Sequence, residues 1–139
     1  MTRVPDHLRR LTIERAHYCC EYCRISLEDR LYLLEVDHII PEKHRGETTE
    51  ENLCLSCMRC NRHKGSDFAS FDPESNEITL LYNPRQNTWD EHFRLDDARI
   101  VPLTPQGRVT VFVLGLNNYD RILEREGLID ADHYPCTNE

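Results

Sequence analysis

The sequence predicts an α+β fold in which two distant segments are tied together, and three observations carry that expectation. Two Cys-x-x-Cys pairs, Cys20/Cys23 and Cys57/Cys60, lie far apart in the chain, and two such pairs on tight turns close one tetrahedral zinc site. Short apolar runs of strand character at 31–36 and 78–82 alternate with short helical stretches near the start, at the second cysteine pair and near the end. The length of 139 residues suits one core. The expectation is therefore a single domain over 1–139, with the metal-tied part at about 18–66 and an extension of about 67–139 packed on it.

Taken in order, Asp6 is placed to cap a helix running to about Ala16, with Arg9, Arg10 and Arg15 on its surface. Cys20 and Cys23 form the first zinc turn, with Tyr22 packed beside it. The run 31–36 delivers Asp37 and His38 at the end of a strand. Successive strand residues point to opposite faces, so a distortion is expected where these two must converge. Residues 42–51 read as a polar loop, in which Lys43 and Arg45 are candidates to meet phosphate. Cys57 through Lys64 reads as a turn entering a short helix that Gly65 ends. Residues 66–75 look like a linker with a turn at Asp72-Pro73, and 78–82 like a strand. Trp89, Phe93 and Leu95 are expected to cover the core, and His92 to be a satisfied structural histidine. Propensity leaves 109–114 open between strand and helix. A charged helix is expected over 119–126, with Gly127 as its cap and a frayed end beyond it.

Composition narrows the class. A 39% apolar fraction without a long apolar run excludes a membrane-spanning helix, and the absence of a leader-like start makes the cytoplasm the expected location. In a reducing compartment the seven cysteines read as four zinc ligands plus Cys19, Cys54 and Cys136 rather than as a disulfide framework. The net charge of -8 speaks against a nucleic-acid partner, but it is unevenly spread. Residues 1–65 hold 11 Lys/Arg and 11 Asp/Glu, whereas 66–139 hold 6 and 14. A grip on phosphate that is weak and sensitive to salt is the expectation.

Four ordered elements resemble the HNH endonucleases of the ββα-metal fold: Cys20-Glu21-Tyr22-Cys23, Val36-Asp37-His38-Ile39-Ile40-Pro41, Glu51-Asn52-Leu53, and Cys57-Met58-Arg59-Cys60-Asn61-Arg62-His63-Lys64-Gly65. Further on, Tyr82-Asn83-Pro84-Arg85, Trp89-Asp90-Glu91-His92-Phe93 and Leu103-Thr104-Pro105-Gln106-Gly107-Arg108 look like a tail shared by a small bacterial subgroup of these nucleases. The resemblance implies a ββα-metal core clamped by structural zinc on Cys20, Cys23, Cys57 and Cys60. It also implies hydrolysis of phosphodiester bonds in DNA, leaving a 5′-phosphate and a 3′-hydroxyl.

In that scheme His38 is the general base and Asn52 braces its loop. Asp37 and Asn61 hold one Mg²⁺ or Mn²⁺, a hard cation suited to carboxylate and amide oxygen. Relatives often carry histidine at the position of Asn61. Here the histidine falls two residues later, at His63, about 200° around a helix, so Asn61 is preferred as ligand. Arg62, His63, Lys64, Lys43 and Arg45 are left as phosphate contacts, which position a duplex without reading its sequence. Structured RNA would serve the same chemistry. One motif supplies one centre, so double-strand cleavage calls for a homodimer or two nicks. The rival reading is a non-catalytic zinc module that binds nucleic acid or protein.

Overall fold

The computed structural model describes residues 3–137. Helix α1 spans Asp6–Arg15, with Pro5 rather than Asp6 in the capping position and Asp6 in the first turn, where a carboxylate suits the helix dipole. Its one fully buried side chain is Thr12, whose hydroxyl returns to the Leu8 carbonyl. Arg15 is only half on the surface. Its guanidinium donates to the Leu53 carbonyl at 2.6 Å.

Strand β1 (Leu34–His38) pairs antiparallel with β2 (Leu53–Cys57), with Leu34 opposite Cys57 and His38 opposite Leu53. The expected strand over 31–36 is thus displaced. Residues Leu31–Leu33 form a 3₁₀ turn, and Leu31 and Tyr32 are exposed. The register gives the reason: past Cys57 the partner chain bends into helix α2 (Met58–Lys64), so nothing remains for 31–33 to pair with. The expected distortion at Asp37 and His38 is also absent, because regular pairing continues through His38. Every residue of β2 is buried, and Leu53 and Leu55 are wholly so, each worth about 1.5–3 kcal/mol relative to exposure. This ββα unit is the core expected from the resemblance.

Among the described residues four more strands and three more α-helices follow. Residues read as a linker contain β3 (Ala69–Asp72), which forms a hairpin with β4 (Glu77–Leu80). The short α3 (Trp89–His92) leads into β5 (Phe93–Asp96), paired with β6 (Arg99–Pro102). The open run 109–114 is helical, within α4 (Pro105–Leu114). Thr104 caps α4 by accepting from the Gly107 amide, and it also bonds His92 Nδ1 at 2.6 Å, which satisfies that histidine as expected. Helix α5 (Tyr119–Asp130) runs straight through Gly127 to a cap at Ala131. The Gly127 site is open, so nothing there forces a stop.

One apolar cluster joins residues of the first part, such as Tyr22 and Leu55, to Phe93, Ile100 and Leu114 of the second. The last described residues are tied down rather than frayed. Tyr134 donates to the Cys23 carbonyl at 2.7 Å, and Cys136 is disulfide-bonded to Cys19. Cys19 and Cys136, expected as spare thiols, are therefore a pair. Cys54 stays free and buried beside the Tyr22 hydroxyl. Burial, and after it the nearby Glu21 carboxylate, pushes its thiol well up, so it resists ionisation and is chemically quiet. No helix among the described residues is long and apolar enough to cross a membrane.

Candidate metal centre and adjoining cleft

The sulfurs of Cys20, Cys23, Cys57 and Cys60 all lie within 4.8 Å of one another, and all four side chains are buried. A tetrahedral zinc with bonds of about 2.3 Å needs sulfurs about 3.8 Å apart, and Cys23 and Cys57 Sγ are at 3.7 Å. In each pair the amide of the second cysteine points at the sulfur of the first, at 3.5 Å for Cys23 and 3.4 Å for Cys60. Such N–H groups stabilise thiolates. The donor set therefore fits zinc and leaves no fifth position, the arrangement of a structural site.

Sequence reasoning missed the counter-charge of this site. Arg121, read as part of a charged helix, is 2% exposed and reaches Cys60 Sγ at 3.0 Å and Cys57 Sγ at 3.8 Å. Burial opposes its charge most strongly, but the sulfurs of Cys60, Cys23 and Cys57 together outweigh burial and hold the guanidinium's pKa above its ordinary value. A guanidinium offset by thiolates can be buried where an unpaired one could not. No local pattern marks Arg121, because its partners come from a segment some sixty residues earlier.

A cleft of about 410 Å³ opens beside this centre, lined by Asp37 and His38 of β1, Asn61 of α2, and Arg3 and Arg9 at the start of the chain. The structure thus brings together three residues proposed for chemistry and adds two arginines. Around His38, Nε2 shares a 2.8 Å hydrogen bond with the Thr48 hydroxyl. Nδ1 has no partner among the described residues. Asn52 accepts from the Ile40 amide at 2.9 Å and donates to the carbonyls of Ile40 and Glu47 at 2.9 and 2.8 Å. Its backbone carbonyl also takes the Ile39 amide. Gly46 is required in this loop, since a Cβ there would fall 1.7 Å from the Ile40 carbonyl oxygen.

The five residues read as phosphate contacts divide. Lys43, Arg45 and Arg62 are exposed. His63 is exposed too, but it lies beside Gly115 at the end of α4 and does not line the cleft. Lys64 is a correction. It is 2% exposed, and its ammonium donates to Asp37 Oδ2 at 3.1 Å and to the His38 carbonyl at 3.0 Å. Its ammonium is already engaged inside the protein, so it does not project to a bound strand.

Residues 20–67 match the HNH endonuclease family. The chain carries an HNH-like domain. This domain holds the ββα core, the four-cysteine cluster and the cleft residues Asp37, His38 and Asn61. Over most of its length, this domain included, the chain is similar to the Septu protein PtuB of Bacillus thuringiensis, at 27% identity over 125 residues, covering 88% of this chain and 46% of that protein. The chain thus spans about half the length of the curated relative it matches. No solved structure matches.

Proposed function

We propose that the chain is a metal-dependent endonuclease that hydrolyses phosphodiester bonds in DNA. The observation that carries this reading is the convergence of Asp37, His38 and Asn61 on one cleft walled by Arg3 and Arg9. Asp37 Oδ1 is without a hydrogen-bond partner among the described residues, and Asn61 offers a neutral amide oxygen. Together they fit a Mg²⁺ or Mn²⁺ ion. When bound, that ion supplies charge neutralisation at the scissile phosphate and the leaving oxygen.

The remaining work falls to the chain. With Nε2 donating to Thr48, the lone pair of His38 sits on Nδ1 and accepts a proton from the attacking water. The backbone of His38 is held by β2 and by Lys64, and the following loop by Asn52, so the imidazole is presented on a fixed frame. Arg3 and Arg9 offer a duplex backbone two cations at the cleft, although Arg3 is ion-paired with Asp6 at 3.6 Å and Asp6, Glu35 and Asp37 line the same cleft. Among the described residues no element carries a row of base-reading side chains, so modest sequence preference is the expectation.

Supercoiled plasmid incubated with Mg²⁺ or Mn²⁺ tests this. The wild type should nick it, and His38→Ala, with its zinc content intact, should be slower by about 10²-fold or more. Equal rates, or no cutting by either under a metal screen, would favour a non-catalytic zinc module, a reading supported by the acidic residues 66–139.

A further inference from the structure

The hydrolytic scheme uses one buried cation, Lys64, only to hold the His38 backbone and leaves its bond to Asp37 without a task. Lys64 could have been a surface residue in the last turn of α2; instead its ammonium is spent on Asp37 and on the His38 carbonyl. Burying an ammonium is costly unless its hydrogen bonds are met, and here a carboxylate and a carbonyl take two of its three N–H groups. An apolar side chain of similar length would fill the same space, but it would leave the Asp37 carboxylate with its whole charge available to a cation.

We infer that Lys64 is a positioning residue that makes uptake of the divalent ion in the cleft conditional on the substrate's phosphate. The inference rests on the endonuclease reading. Asp37 is the one carboxylate of the proposed ligand pair, and Lys64 offsets its charge at 3.1 Å. Around the cleft the balance is even: Arg3, Arg9 and Lys64 stand against Asp6, Glu35 and Asp37. A hard dication gives up hydration reluctantly and needs negative charge to do so. The free cleft offers it a formally neutral surface and a carboxylate with one oxygen already engaged. A phosphodiester brings both a negative charge and further oxygen ligands to the same place. Arg9, and Arg3 with its ion pair to Asp6 at 3.6 Å exchanged for the phosphate, can contact that group before any ion is present. Ion and phosphate should then raise each other's affinity by the same factor, as linkage requires. Lys64 meanwhile keeps Asp37 Oδ2 fixed and leaves Oδ1 for the ion.

The test uses the zinc-loaded full chain carrying His38→Ala, so that a short DNA duplex stays intact. Mn²⁺ is titrated calorimetrically into the protein, into the protein with duplex, and into duplex alone as a blank. Mn²⁺ should bind about tenfold or more tightly when duplex is present, within the usual range of coupling between sites. Adding Lys64→Met should tighten Mn²⁺ binding to the duplex-free protein by about tenfold, with the benefit of duplex shrinking accordingly. A merely structural lysine would leave Mn²⁺ affinity of the folded variant unchanged, and that result would overturn the inference. Should Lys64→Met fail to fold, the comparison with and without duplex decides alone, because it uses protein that retains Lys64. Equal Mn²⁺ affinities there, alongside plasmid nicking by the wild type, would overturn this inference and leave the nuclease. Loss of both duplex binding and nicking would overturn both.

Discussion

Asn52 fastens the loop after β1 through three side-chain hydrogen bonds, all to backbone atoms of Ile40 and Glu47. Its amide replaces strand pairing at the point where β1 and β2 separate, so the His38 backbone is followed by a fixed turn. Asn52→Ala removes all three bonds and leaves a partly buried amide and two carbonyls to water. A loss of about 1–3 kcal/mol in urea unfolding is expected. On the endonuclease reading, displacement of His38 should lower the nicking rate by about 10²-fold, with duplex binding nearly unchanged because the cleft arginines Arg3 and Arg9 lie elsewhere. Asn52→Asp keeps the acceptor for Ile40 and loses the donors, so it should fall between. Wild-type nicking by Asn52→Ala would show that the loop holds itself. The sequence made this residue legible because a motif fixes its distance from His38 and because an amide both donates and accepts. It hid the task of Lys64. A lysine next to His63 at a helix end reads as solvent-facing, and only the crossing of α2 against β1 turns its ammonium inward.

Among the elements, α4 shows how a local signal outweighs composition. Residues 109–114 are rich in β-branched side chains, yet Thr104 and Pro105 start a helix and Gly115, at a φ of 58°, ends it in the left-handed region. These boundary residues were visible in the sequence. What was not visible was that residues 69–72, read as linker, supply a strand for α4 to pack on. The bond between them is specific: Arg108 reaches both carboxylate oxygens of Asp72, at 3.1 and 2.9 Å, and Asp72 is buried. Hydrogen bonding from Arg108, and then from Ser75, holds the Asp72 carboxyl well below the usual carboxylate range. A depressed carboxylate stabilises the fold above its unfolded pKa, and that contribution fades as pH falls through the lower folded value. The thermal stability of wild type should therefore exceed that of Arg108→Gln by the most near neutral pH. The gap should narrow only in strong acid, below about pH 4. Melting curves of both proteins at matched ionic strength from pH 7 to pH 2 check this. A gap independent of pH would mean that Arg108 acts through packing alone.

At the scale of the molecule, the segment after α4 closes the zinc end from outside. Arg121 neutralises the cysteine sulfurs, Arg125 donates to the carbonyls of Ala98 and Leu116, and Tyr134 bonds the first zinc turn. None of this could be read from the sequence, since all the partners but Leu116 are remote in the chain and each residue alone looks like part of a polar surface. The same holds for Cys19 and Cys136, separated by 117 residues; their separation says nothing about proximity, and an odd cysteine count concealed one internal pair. Closing a loop of that length restricts the unfolded chain, for which a contribution of about 2–4 kcal/mol is typical. Cys136→Ser should accordingly lower the urea midpoint of oxidised protein. Mild reduction of wild type should bring it to the same midpoint, and the variant should not respond to the reductant. Zinc content must stay constant across the four samples, because the four ligating cysteines are a separate set from this pair. Peptide mass mapping under non-reducing conditions identifies the bridged species directly. Coincident midpoints for oxidised wild type and Cys136→Ser would place the whole attachment of the C-terminal segment in Tyr134, Arg125 and Arg121, and the bridge would add nothing to the fold's stability.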